Sequence, residues 1–236
     1  MAQKTVNLPG IGDVILAKRQ GTRNLRLSIA PDGKIRVGMP YWAPYSAGIS
    51  FALSRQDWIE KHKPARASSF SDGQRVGKSY RLIFVNNDSV LKTRSRIVNN
   101  QIVITSALDI SNATVQKTAA AACERALKKD AQALLPQRLK HLADRHVFSY
   151  KSVRIKRLRS RWGSCSSDKV ITLNYYLIQL PWELIDYVIL HELTHTTHLN
   201  HSKEFWDRLA ALLPDIKRLR REIKAHKPVI APQALA

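Results

Sequence analysis

The residues of this chain best placed to do chemistry stand close together, in Val188-Ile-Leu-His191-Glu192-Leu-Thr-His195-Thr-Thr-His198-Leu-Asn200-His201-Ser-Lys-Glu-Phe205-Trp206. Two histidines four apart on a helix lie one turn above each other, so both imidazoles can reach one ion while Glu192 projects beside them. At that spacing the carboxylate serves as a base toward a metal-held water and not as a ligand. With 8 His and 6 Glu in 236 residues, chance produces on the order of 0.007 such matches per shuffled chain. Leu184, Ile185, Val188, Ile189 and Leu190 make the preceding turns apolar, as a helix buried beneath a cleft requires. The spacing therefore predicts a metal site.

A catalytic zinc takes three protein ligands and keeps a fourth position open. His198 shares the helical face, but it lies seven residues from His191, about 10.5 Å along a straight helix. Metal–nitrogen bonds of about 2 Å do not span that. The chain must turn and send a ligand back, and His201 is the first residue able to do so. Asn200 or Ser202 can cap the helix expected over 202–213, Asn also tolerating a left-handed turn. Glu204 and Glu222 are the alternatives if the third ligand is a carboxylate from a following helix, and Cys165 if it is an upstream thiolate. The long metzincin motif is excluded, because it places Gly where His198 stands and needs a methionine turn, whereas the only methionines are Met1 and Met39.

Arg161-Trp-Gly-Ser-Cys165, Leu173-Asn174, Tyr187-Val-Ile-Leu-His-Glu-Leu-x-His and Asn200-His-Ser-x-x-Phe-Trp206 together resemble the YgjP-like metallopeptidase family, which is related to the SprT-like zinc proteases. Arg26-Leu-Ser-Ile-Ala-Pro-Asp-Gly-Lys-Ile-Arg-Val37 and Asp57-Trp58-Ile59 resemble that family's leading strand pair and the helix after it. The resemblance implies a compact zincin domain that hydrolyses peptide bonds, with His191, His195 and His201 holding Zn2+ and Glu192 as base. It leaves the substrate undefined. Two rivals remain at this level: a metal-dependent nucleoside triphosphate hydrolase, for which no phosphate-binding glycine loop is present, and a nucleic-acid-binding module with a closed structural metal site.

The elements that must position these residues give an α+β chain, with a β-rich N-terminal region over 1–110 and a zincin-type domain over 111–236, a division that leaves open whether sheet and helices pack as one body. Strands are expected at 14–19, 25–30 and 35–39, the last two joined by a turn at Pro31-Asp-Gly-Lys34, making a small antiparallel sheet. A helix follows over 46–62, with Trp58 as a core anchor, then a loop over 63–79 and strands at 80–86, 89–98 and 101–105. A long helical pattern starts at Thr114, and Pro136 should end or kink it. His141 and His146 have no ligand set near them and read as surface or cap residues.

Strands at 153–158 and 170–174 flank 159–169 and precede the active helix. Such a ribbon walls a cleft where an extended peptide can add by backbone hydrogen bonds. Arg161, Trp162 and Asn174 are thus candidate substrate contacts, Trp162 serving equally as core. Gly163 supplies a turn or a close backbone approach, and Cys165 a small buried side chain. Candidate oxyanion partners are Arg161, Tyr175, Tyr176 and His198. Pro181 suits the first turn of the active helix, and helices over 202–213 and 215–226 follow, with a loose tail over 227–236.

Lys and Arg number 39 against 18 Asp and Glu, a net charge of +21. A field of that sign attracts polyanions, nucleic acid among them, although general solubility is the alternative explanation. Lys151 to Arg161 holds six basic residues and no acidic one. No apolar run is long enough to span a membrane, the first residues lack a signal-peptide core, and two cysteines do not make a disulfide framework. These features predict a cytoplasmic enzyme of undetermined oligomeric state.

Overall fold

The structure is a computed structural model that describes residues 2–30, 33–62 and 69–230. Residues 31 and 32 of the expected turn, 63–68 of the expected loop and 231–236 of the expected tail lie outside it. The chain forms two compact units, Met1–Ser68 and Ser69–Ala236. The boundary expected at 110/111 falls inside the second unit, because the strands before it and the helix after it bury their apolar residues in one core.

The first unit is a four-stranded sheet with two helices. Strands β1 (Gln3–Leu8), β2 (Gly12–Arg19), β3 (Arg26–Ile29) and β4 (Ile35–Pro40) stand in the order β1-β2-β4-β3. The sheet is mixed, not antiparallel throughout, since β2 runs parallel to β4. Alternation places Val14, Leu16, Ile35, Val37 and Met39 on one face, where they are buried with Ala52 and Ile59. The single helix expected over 46–62 is two, α1 (Tyr45–Leu53) and α2 (Gln56–His62), because Ser54 turns its hydroxyl onto the Phe51 carbonyl and closes α1. Trp58 is no core anchor: it is 39 % exposed and stacks on His62, while Ile59 takes the buried position.

The second unit is organised by α3 (Ala113–Arg145), a helix of 33 residues capped by the Asn112 side chain and closed at His146. It runs on through Pro136. Proline removes one helical hydrogen bond, but Leu135, Leu139 and Leu142 on either side are buried, and at about 1.5–3 kcal/mol per buried leucine that packing outweighs the loss. Strands β5 (Arg75–Val76), β6 (Tyr80–Asn86), β7 (Arg94–Val98) and β8 (Gln101–Ser106), in the order β5-β6-β8-β7, pack on α3 through Leu82, Ile102 and Ile104. Buried Asp130 of α3 accepts hydrogen bonds from Lys78 N, Ser79 N and Ser79 Oγ at 2.6, 3.2 and 2.6 Å. Gly77 precedes them at φ +64, and a Cβ there would strike that carboxylate.

The other side of α3 carries the layer that holds the chemistry. A three-stranded sheet, β10-β11-β9, comprises β9 (Ser152–Lys156), β10 (Gly163–Cys165) and β11 (Val170–Asn174). A 3-10 turn over Tyr175–Gln179 leads into α4 (Trp182–Thr194), followed by α5 (Lys203–Leu212) and α6 (Ile216–Ala225). Arg138 of α3 clamps Asp186 of α4 with two hydrogen bonds of 2.7 and 2.5 Å. No described helix is long and apolar enough to cross a membrane.

Candidate metal centre

Helix α4 begins at Pro181, whose fixed backbone suits a helix start, and buries Leu184, Ile185, Val188, Ile189 and Leu190. That apolar face sets the helix rotation, and the rotation sends His191 and His195 toward the same point. The helix ends at His195, and a turn closed by Thr196 N on Leu193 O and His198 N on Thr194 O brings the chain back. No left-handed residue is needed at Asn200, since the positive-φ residues other than glycine that the structure describes lie elsewhere. Ser202 takes the cap position of α5.

His191, His195 and His201 present ring nitrogens that all lie within 4.8 Å of one another. His191 Nε2 and His201 Nε2 are 3.1 Å apart, close to the ~3.3 Å that bonds of 2.0–2.1 Å at tetrahedral angles require. His195 Nδ1 donates to the His198 carbonyl oxygen at 3.0 Å, a bond that leaves the Nε2 lone pair for a ligand role. Burial, reinforced by the neighbouring imidazoles, lowers His191 to about 3. His195 is lowered too, again chiefly by burial, so both rings are neutral, the form a metal needs. The donor set therefore fits a metal ion. Cys165, Glu204 and Glu222 stand outside the cluster: Glu222 pairs with Arg218, and burial raises the Cys165 thiol.

Aromatic rings fix the triad from below. Phe205 is fully buried, with its ring centroid 4.6–5.0 Å from those of His191, His195 and His201. Trp206 stacks on His201 at 5.5 Å, and the Arg220 guanidinium sits 4.3 Å over the Trp206 ring. Sequence reading assigns Phe205 to helix packing and misses this second use; the Phe-Trp pair four residues after His201 is the signal.

Glu192 is 5 % exposed, and burial pushes its carboxyl up to about 8, with Arg161 drawing it part of the way back. Strand β10 crosses directly over it. A Cβ on Gly163 would lie 2.6 Å from Glu192 Oε1 and 2.7 Å from Cγ, so the expected close approach is an approach to this carboxylate. Arg161 is exposed on the rim. Trp162 is partly buried against the core.

Asn174 is fully buried. Its Nδ2 donates to Leu158 O and Arg161 O at 2.8 and 3.1 Å, and its Oδ1 accepts from Tyr176 N at 3.2 Å. With its amide committed in this way, Asn174 shapes the loop that carries Arg161 and offers the cleft no free group. Tyr175 and Tyr176 likewise direct their hydroxyls to Glu124, away from an oxyanion role.

The profile of the YgjP-like metallopeptidase domain matches residues 23–226. No curated protein matches the chain. Among solved structures, it is similar to the metallopeptidase zymogen abylysin of Pyrococcus abyssi, at 26 % identity over 39 % of this chain and 93 % of that one, with a TM-score of 0.36. It is also similar to the zymogen jannalysin of Methanocaldococcus jannaschii, at 22 % identity over 39 % and 94 %, with a TM-score of 0.35.

Proposed function

The chain belongs to the YgjP-like family of metal-dependent peptidases, and on that premise we propose that it is a zinc peptidase with His191, His195 and His201 as ligands and Glu192 as general base. The observation that carries this reading is the convergence of three imidazole ring nitrogens within 4.8 Å. Zinc bound there would polarise the scissile carbonyl and make its water acidic enough to react near neutral pH.

Glu192 takes the proton from the attacking water and delivers it to the leaving amine nitrogen. Its buried setting favours both halves of that transfer, because a carboxyl raised by burial is a stronger base than an exposed one. Strand β10 pairs on one side with β11 and has no strand partner on the other among the described residues, so an extended peptide can pair along that edge beside Glu192. Arg161 on the rim stabilises negative charge developing at the attacked carbonyl.

The test is zinc content together with hydrolysis of casein and short peptides, with nucleoside triphosphates assayed in parallel. Wild type is expected to carry one zinc and cleave peptides; Glu192→Gln keeps the zinc and loses cleavage; His201→Ala loses the zinc. Full activity in Glu192→Gln, or turnover of triphosphates alone, would overturn the reading.

A further inference from the structure

The outer face of the first unit's sheet carries a basic trough that the peptidase reading does not use. Strand alternation turns Ala17, Arg19, Arg26, Ser28, Arg36 and Gly38 away from the buried face. In register, Arg36 pairs with Ser28 and Gly38 with Arg26, while Gly38 also pairs with Ala17 on β2. Gly38 and Ala17 leave the middle of the face low, and arginines stand around it. The result is a cavity of about 340 Å3 lined by Arg19, Thr22, Arg26, Ser28, Arg36 and Gly38.

Among the described residues none of the three arginines pairs with a carboxylate. Arg36 Nη2 donates to Gln3 Oε1 at 3.0 Å, and its Nε is buried with no hydrogen-bond partner, an arrangement that costs on the order of 1–3 kcal/mol until an acceptor arrives. The acidic residue described on this face, Asp13, stands one row beyond Arg36, two residues before Ile15, the β2 partner of Arg36, and its Oδ1 accepts from Asn7 Nδ2 at 2.7 Å. Along the strands the Arg36, Arg26 and Arg19 rows follow one another at about 6.6 Å, a line of guanidiniums suited to bidentate contact with successive phosphates.

The trough runs on into aromatic surface. Arg19 also lines a neighbouring cavity of about 600 Å3 with Lys18, Gln20 and Tyr41. Tyr41 and Trp42, directly after β4, are 60 % and 78 % exposed. A basic groove that ends on exposed rings is what an unpaired nucleic-acid strand requires, phosphates in the groove and bases stacked on the rings. A duplex keeps its bases stacked internally, and an acidic peptide gains nothing from the rings. We propose that the outer face of this sheet binds single-stranded nucleic acid, with its phosphates held by Arg19, Arg26 and Arg36 and a base stacked on Tyr41 or Trp42.

The test is fluorescence anisotropy of a labelled oligothymidylate of about 16 nucleotides against the full chain over a salt series. Wild type should bind, more weakly as salt rises. Arg19→Ala with Arg26→Ala should lower the log–log salt slope by about 1.4, at about 0.7 per phosphate contact on a single strand. Tyr41→Ala with Trp42→Ala should weaken binding roughly 5- to 100-fold with the slope unchanged. Gly38→Val fills the trough, and since a Cβ there meets only Arg26 O at 3.8 Å, it should cut affinity without lowering the melting temperature. Zinc content should stay at the wild-type level in all three. The proposal is overturned if wild type does not bind, if the trough variants keep wild-type affinity and slope, or if duplex DNA or polyglutamate displaces the strand as well as unlabelled oligonucleotide does. It is equally overturned if charge reversal at Arg154, Lys156 and Arg157 of the β9 region abolishes binding that the trough variants retain.

Discussion

Gly163 lies against the Glu192 carboxylate, and Gly163→Ala is the perturbation that tests the placement of Glu192. An added Cβ meets Oε1 at 2.6 Å, Cγ at 2.7 Å and Cδ at 2.9 Å, where ordinary contact starts at 3.4 Å. The nearest carboxylate atom must therefore retreat by 0.8 Å, or β10 must lift by as much. Overpacking of this kind costs about 1–3 kcal/mol of stability, and a misplacement approaching 1 Å costs on the order of 100-fold in rate. The expected result is kcat for a short peptide down about 100-fold, zinc content unchanged, and a lowered melting temperature. Glu192→Ala removes the obstructing side chain, so Gly163→Ala should cost little further stability in that background. A Gly163→Ala enzyme with wild-type kcat and full zinc would refute the argument, and so would an equal stability loss with and without the Glu192 side chain.

Asn174→Ala leaves Leu158 O, Arg161 O and Tyr176 N without a buried partner; it should cost roughly 2–4 kcal/mol, read by denaturant unfolding, and raise KM as the Arg161 loop loosens. Burial alone would raise Glu124, but hydrogen bonds from Tyr175 and Tyr176 and the charge of Arg157 outweigh it and hold the carboxyl below its ordinary 4.5. A depressed native value means that its stabilisation is complete above 4.5 and is lost as pH falls through that lower value, so acid unfolding of Glu124→Gln should depend less on pH below 4.5 than that of wild type. Chelating the metal should leave the near-UV circular dichroism of the second unit intact and lower the melting temperature only by the lost binding energy, because its core is built from α3, two sheets and α4; cooperative unfolding on chelation would contradict this.

What was legible in the sequence was local. His191, Glu192 and His195 are tied by one helical turn, and His201 followed from bond lengths and the need for a turn. The family's motifs extended the reading to nearly the whole chain, and the profile match covers 23–226. What escaped depends on distant pairing. Strand β10 is only three residues long and is defined by its partner β11, and β1 by its register with β2. Asn174 looked like a cleft residue from its place in the chain, yet its bonds reach 13 and 16 residues back. Pro136 looked like a helix end because the rule is local, and the packing that overrides it is not. The boundary at 110 rested on a change from strands to helices, whereas the units divide where the shared core ends.

The same contrast explains how the site is held. The triad is joined by ordinary packing: α4 is fixed to α3 by apolar burial and by the Arg138–Asp186 clamp, and Phe205 presses on all three imidazoles from α5. Polar control is kept for the opposite wall, where Asn174 ties the Arg161 loop to the start of the 3-10 turn. Glu192 lies between the two, with Gly163 against it and His191 and His195 one residue before and three after it in the chain. On the proposed assignment, displacement of β10 relative to α4 would shift the Glu192 carboxylate against the β10 edge while leaving the three imidazoles together. The imidazole cluster and the Glu192 carboxylate are thus held by different contacts, which is why the changes at His201 and at Gly163 should fail in different ways.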